Sequence, residues 1–326
     1  MHYDLNNINK NVRDNPGGFA VRCEQEFDSK VKTAADLICG NIKHSPIVLL
    51  AGPSGSGKTT TSLKLEAELR KRGINSTAIS LDKYFQTIDP ETAPRTPDGA
   101  LDFESPQCLD MDLLDKHFTL LNQHEEIRVP HFDFSRQVRS TDRYRDLCLG
   151  ENEIAIFEGI HALSDLISGK HPEAFKLYVS ARSSVYQGID GIQGKGGGKG
   201  GGKGTQVFKS TWLRMMRRII RDNNFRGADA VFTLSLWSNI KRGEQLYILP
   251  YEDSADYKLD SMLPYEISAL KSYARPLLES VPENIERYEE IRQMRDALDL
   301  FEDMDDKYLP PDSLIREFMG GSIFKY

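Results

Sequence analysis

Residues 52–59, Gly-Pro-Ser-Gly-Ser-Gly-Lys-Thr, carry the most specific chemistry in the chain. They match the pattern GxxxxGK(S/T), with a short apolar run before them and a helix-forming stretch after them. Gly52, Gly55 and Gly57 would let main-chain N–H groups wrap phosphate oxygens at a distance that a Cβ forbids. Lys58 can then reach the terminal phosphates, Thr59 offers a hydroxyl to Mg²⁺, and Ser54, Ser56 and Thr60 complete the cradle. The first turn of the following helix adds its positive dipole end. A flexible Gly/Ser turn would explain the composition too, but not the lysine, the threonine and both flanks together.

Two acids and an arginine-rich stretch supply the rest. Asp82 follows an apolar stretch and should emerge at the C-terminal edge of a sheet, where α/β folds place ligands. A carboxylate there can accept the proton of an attacking hydroxyl; capping a helix or holding a Mg²⁺-bound water are its alternatives. Glu158 ends the run Ile154–Phe157, near the expected position of Mg²⁺ and its waters, or else pairs with Lys58. His161 reads as a packing residue, because no His or Cys cluster surrounds it. Arg214, Arg217, Arg218 and Arg221 fall at i, i+3, i+4 and i+7, so a helix would gather them on one face. A triphosphate would neutralise that face, while Leu213, Met216 and Ile220 form a separate stripe to dock it on the core. A merely solvated basic face is the alternative.

The elements that must position these residues follow from the apolar pattern. Pro46–Ala51 reads as a buried strand of a parallel sheet, and Ser76–Leu81, Ile154–Glu158 and Lys176–Ser180 repeat the signature. Thr59–Lys71 reads as the helix after the glycine loop, ended by Gly73. Strands alternating with helices predict an α/β layered fold. Residues 1–45 read as an extension with one helix near Ser29–Ile42. Beyond 260 the chain turns helical and charged, with Tyr265–Val281 and Glu286–Leu300 as candidates. This region reads as a packing or assembly element, which leaves a homo-oligomer open. Gly194–Gly204, GKGGGKGGGKG, cannot bury apolar surface and reads as a flexible coil just before the arginine helix.

Composition sets the outer limits. The 326 residues hold 42 Lys+Arg against 49 Asp+Glu, for a net charge of -7. That balance speaks against a dedicated binder of nucleic acid or anionic membrane, so phosphate chemistry has to be local. The longest apolar run is far below the roughly 20 residues of a membrane span. The first residues lack a signal-peptide pattern. Cys23, Cys39, Cys108 and Cys148 form no CxxC pair, and a reduced, cytoplasmic protein is expected.

The loop alone leaves several nucleotide chemistries open. The chain lacks an NKxD base-reading motif, and the strand at 154–157 ends in Glu-Gly-Ile-His rather than an Asp-Glu pair; both point to a kinase. Six segments in order, AGPSGSGKTT (51–60), SLDKYF (80–85), LDFESP (101–106), PHFDF (130–134), FEGIHAL (157–163) and RRIIRDNNFRG (217–227), resemble the uridine kinase and phosphoribulokinase family of P-loop kinases, most closely its nucleoside-kinase branch. The resemblance spans about 46–260. It implies a three-layer P-loop NTPase fold with a mostly parallel sheet, an Arg-rich lid near 186–227, and helical extensions at 1–45 and 261–326. It also implies Mg²⁺-assisted transfer of the ATP γ-phosphoryl group to the 5′-hydroxyl of a nucleoside such as uridine or cytidine.

In that scheme Asp82 is the base, with Lys58, Arg217 and Arg221 acting on the migrating phosphoryl group. Arg218 and Arg226 hold the nucleotide. The acceptor would meet Tyr84, Phe85, Glu104, Phe132, Asp133 and Arg139, with Glu104 on ribose hydroxyls and Phe132 on the base. Taken alone, PHFDF is equally a strand with core aromatics. The nucleoside-kinase pattern has Tyr where Phe132 stands, and a His where this chain offers Ser135-Arg136-Gln137. Two alternatives therefore stay open: a phosphoribulokinase-like kinase of a sugar phosphate or other small alcohol, and a catalytically silent nucleotide-binding regulator.

Overall fold

The computed structural model describes residues 2–133, 136–188 and 204–325. Phe134, Ser135 and nearly all of the GKGGGKGGGKG segment lie outside the described residues, and with them the expected lid sequence 189–203. In chain order the strands are β1 (His2–Asp4), β2 (Ile47–Ala51), β3 (Asn75–Ser80), β4 (Ile127–Asp133), β5 (Val138–Leu147), β6 (Glu153–Glu158), β7 (Phe175–Ser180), β8 (Ser184–Gln187), β9 (Thr205–Phe208) and β10 (Tyr257–Asp260). The helices are α1 (Leu5–Asp14), α2 (Pro16–Asn41), α3 (Lys58–Lys71), α4 (Met111–Asn122), α5 (Asp165–Ser168), α6 (Ser210–Phe225), α7 (Ala230–Ser235), α8 (Trp237–Tyr247), α9 (Glu266–Glu279), α10 (Tyr288–Leu298) and α11 (Arg316–Met319).

The central sheet runs β10-β7-β2-β6-β3 and is parallel throughout. Its inner strands are apolar on both faces because both faces are covered. Along β2 the side chains alternate between two cores. Val48 and Leu50 pack with Ile156, Leu177 and the helical layer that includes α2, α3, α6 and α9. Ile47, Leu49 and Ala51 pack with Phe157, Tyr178 and α4 on the other side. This is the expected α/β/α sandwich. β2 stands at its centre with β6 beside it and β3 beyond, so the loops after these three strands open on one edge.

One element differs from the sequence expectation. The single N-terminal helix expected near Ser29–Ile42 is the second half of a 26-residue helix that starts at Pro16. Its N-cap Asn15 accepts from the N–H of Gly18, which outweighs the helix-weakening pair Gly17-Gly18. Phe19, Cys23, Phe27, Val31, Ala35 and Ile38 then form one buried stripe, and packing of that stripe decides the helix. Residues 127–147 do not join the main sheet; β4 and β5 make a separate antiparallel hairpin. Among the described residues no helix is long and apolar enough to cross a membrane.

Candidate active site at the sheet edge

The loop after β2 takes the shape its glycines permit. Gly57 ends it at φ 82°, a left-handed conformation, and α3 starts at the next residue. Gly52 leaves β2 so close to the neighbouring strand that a Cβ would lie 1.9 Å from the Val179 carbonyl oxygen. No side chain fits there.

Hydrogen bonds from behind orient the loop. Lys58 Nζ donates to the carbonyls of Gly52 (2.8 Å) and Pro53 (3.2 Å). Arg214 Nη1 donates to Ser54 O at 3.1 Å, Arg217 Nη1 to Gly55 O at 3.0 Å, and Ser261 Oγ to Ser56 O at 2.6 Å. Five successive carbonyls are thus held by donors. Together with the Ser56 N–H, which donates to Pro53 O at 3.2 Å, these bonds fix the course of the main chain through the loop.

That cleft has a volume of about 290 Å³. Residues 54–59 line it, together with Asp82, Phe85, Phe103, Glu104, Glu158, Arg218, Arg221, Arg226 and Glu317. Ser80 Oγ accepts from Asp82 N–H at 3.2 Å, which starts the turn carrying Asp82 past the end of β3. The carboxylate reaches cleft water, yet the surrounding walls partly desolvate it and raise its pKa, against the pull of Lys58 and then Arg226. Glu158 ends β6 with Oε2 buried and without a hydrogen-bond partner, and burial pushes its pKa up to about 7. Glu104 is likewise raised to about 7 by burial, with Arg218 opposing. Burial lowers the pKa of Lys58, opposed by Glu158, Glu317 and Asp82.

The arginine face divides in two. Arg218 and Arg221 line the cleft with Arg226, and all three ion-pair with Asp222, at 3.2, 2.8 and 3.5 Å. Arg218 also donates to Ser54 Oγ at 2.7 Å. Arg214 and Arg217 instead point into the core. Arg217 is fully buried and forks onto Glu266 of α9 at 2.8 and 2.9 Å, while Arg214 Nη2 meets Glu244 of α8 at 2.8 Å. Arg217 therefore does not stand where the migrating phosphoryl group was expected to meet it. Two buried carboxylates on later helices draw this pair inward, and helical spacing alone could not show them.

The acceptor-side residues divide as well. Phe85 and Glu104 line the cleft, joined by Phe103, which stands 43% exposed at its wall and lay unremarked inside LDFESP. Tyr84 faces the opposite way; it is fully buried, and its hydroxyl meets His117 Nδ1 at 2.9 Å. Phe132 is buried behind Phe85, ring centroids 5.5 Å apart. Arg139 pairs with Asp110 at 2.6 Å and donates to the carbonyls of Tyr84 and Phe85, so it braces the turn after Asp82. Asp133 accepts from Arg136 N–H at the hairpin end. His161 is buried, edge-on to Tyr247, as a packing residue would be.

The C-terminal region does more than pack. Ser261 and Glu266 brace the loop, and Glu317 borders the cleft. A charged helical stretch offers no local sign of this, because the contacts span more than 40 residues.

Residues 47–186 match the model of the Phosphoribulokinase / Uridine kinase family. That match takes in the glycine loop at 52–59, Asp82 and Glu158, so this part of the chain is similar to that family. The uridine kinase of Halobacterium salinarum is 31% identical over 116 residues, 36% of this chain and 48% of that protein. The uridine kinase of Schizosaccharomyces pombe is 32% identical over 189 residues, 58% of this chain and 34% of that protein. The chain thus spans half or less of the length of these two curated relatives. Among solved structures, D-glycerate 3-kinase from Cryptococcus neoformans aligns over 91% of this chain and 90% of that one, at 14% identity and a TM-score of 0.32.

Proposed function

We propose that the protein is an ATP-dependent phosphotransferase acting on an alcohol, with the 5′-hydroxyl of a nucleoside such as uridine as acceptor. One observation carries this reading: residues 54–59 of the glycine loop and Asp82 line the same cleft. The relatives named uridine kinase supply the nucleoside.

The step is an in-line displacement. The acceptor oxygen bonds to the γ-phosphorus as its proton passes to Asp82, the bond from that phosphorus to the β–γ bridging oxygen breaks, and ADP leaves. Asp82 needs only modest basicity, since positioning and charge stabilisation dominate phosphoryl transfer. Arg218, Arg221 and Arg226 offset the charge on the transferring group, and Asp222 keeps them aligned.

The residues present suit Mg²⁺. Among the described residues no group of three His, Cys, Asp or Glu side chains could hold a metal by itself. Mg²⁺ usually takes one or two protein ligands and completes its shell with phosphate oxygens and water. The partnerless Glu158 Oε2 and the Thr59 hydroxyl would be those ligands, the glutamate directly or through water. Bound there, the ion would neutralise phosphate charge.

A second reading, a sugar phosphate or other small alcohol as acceptor, draws on Phe132. That ring is covered by Phe85 rather than offered to a base. ADP release measured over a panel of uridine, cytidine, ribulose 5-phosphate and glycerate decides between them. Turnover with uridine or cytidine is expected; a sugar phosphate reacting while both nucleosides stay silent reverses the choice.

A further inference from the structure

The seat that α3 offers to a phosphate is filled by the chain itself. Thr60 is the third residue of α3, so its N–H belongs to the first turn, which has no partner inside the helix. That N–H donates to Glu317 Oε2 at 3.1 Å, and the Thr60 hydroxyl donates to the same oxygen at 2.7 Å. A side-chain carboxylate thus makes the two contacts that a phosphate oxygen would make at a helix N-terminus.

The surrounding contacts hold the glutamate there. Arg316, beside it, donates to the carbonyls of Pro310 (2.8 Å), Leu309 (2.9 Å) and Asp306 (3.1 Å), which fixes the turn leading into α11. Leu314 packs within 3 Å of where a Cβ on Gly57 would be, at the end of the phosphate loop. Asp312 meets the buried Lys64 of α3 at 3.1 Å, with Asp28 of α2 on the same ammonium at 2.9 Å. On the other side, Asn224 of α6 reaches the Phe318 carbonyl at 3.4 Å, and the Phe318 ring lies 5.2 Å from the Arg217 guanidinium. Residues 312–318 therefore bridge α3 and α6, the two helices that face a bound nucleotide.

We propose that this C-terminal segment is an autoinhibitory latch: the Glu317 carboxylate occupies a nucleotide-phosphate seat on Thr60, and nucleotide enters only by displacing it. Two anions cannot share one N–H and one hydroxyl, and their repulsion in the cleft adds to the exclusion. Occupancy by the tail and occupancy by ATP are then competing states of one site. Their balance sets the apparent nucleotide affinity. Since α11 also contacts α6, release of Glu317 is coupled to the helix that carries Arg218 and Arg221. The latch rests on the nucleotide reading of the P-loop and is independent of the acceptor's identity.

The test is calorimetric titration of the full chain with ADP and, separately, with inorganic pyrophosphate, for the wild type, Glu317→Ala and Glu317→Gln. A charge-assisted contact of this kind is worth about tenfold in affinity. Both variants should bind both probes about tenfold more tightly, with Glu317→Ala at least as tight as Glu317→Gln. The melting temperature without ligand should fall slightly, and its rise on adding ADP should grow. Unchanged or weaker binding in both variants overturns the latch and makes Glu317 a bystander or a nucleotide contact. Absence of ADP and pyrophosphate binding in all three proteins overturns the nucleotide reading itself, and the latch with it. Pyrophosphate separates competition for the phosphate seat from any effect on the base, since it carries no base.

Discussion

The two walls of the cleft are built on different principles. On the nucleotide wall, the carbonyls of residues 52–56 are all held, and the holding groups Arg217 and Arg214 are neutralised by the buried Glu266 and Glu244. On the wall that carries Asp82, Phe85, Phe103 and Glu104, the functional side chains stand in the cleft, while the bracing is done from behind by Arg139 on the main chain. One wall has its main chain pinned at successive carbonyls, and the other sets side chains in front of a braced main chain. The first depends on glycines and a lysine at fixed spacing and so reads clearly in the sequence; the second depends on which way each side chain turns and does not.

The sharpest way to break the comparison is to remove the one group on the second wall that would touch the reacting proton. Asp82→Asn should lower kcat by about 10² to 10⁴-fold while nucleotide affinity is kept. Titration with ADP alongside single-turnover kinetics reads both. Affinity lost in step with kcat would place Asp82 on the nucleotide wall instead.

Next in size is the contrast within α6. Arg217→Ala leaves Glu266 buried and uncompensated and should cost about 3–5 kcal/mol of stability. Arg221→Ala, whose partner Asp222 keeps Arg218, should cost about 1 kcal/mol or less yet depress kcat/KM. Denaturant unfolding and steady-state kinetics of both variants check this; equal destabilisation would erase the division of the arginine face.

The smallest effect is in pH. Glu158 and Glu104, both raised to about 7 by burial, bind protons more tightly folded than unfolded. The stability they lend at low pH is therefore lost as pH rises from about 4.5, the ordinary value, to about 7. The melting temperature of the ligand-free protein should decline over that range, less steeply in Glu158→Gln, and Mg-ATP should offset the decline, since the ionised form of Glu158 is the one that would hold the cation. A flat profile in the wild type would mean that neither carboxyl is desolvated.

Legibility followed the range of the interactions. The P-loop was visible because its requirements are local: glycine where φ is positive, a lysine and a hydroxyl at fixed offsets, an apolar strand before and a helix after. Asp82 and Glu158 were visible for a related reason, as acids just past strands whose order sends them to one edge. Tyr84 and Phe132 were read as facing the acceptor and lie buried instead, since a strand or turn pattern says which residues alternate but not which side the core is on. Arg217 was read as a lid residue because Glu266, 49 positions away, cannot be paired with it by spacing.

Sequence alone determined that this is an α/β chain with a GxxxxGK(S/T) loop between a buried strand and a helix, because those features follow from local pattern and spacing. Only the tertiary structure decided which arginines brace the loop and which line the cleft, that Phe103 and Phe85 rather than Tyr84 face it, and that Glu317 sits on Thr60. Each of these turns on side-chain burial and charge pairing, whose energy is set by partners that folding brings from far along the chain.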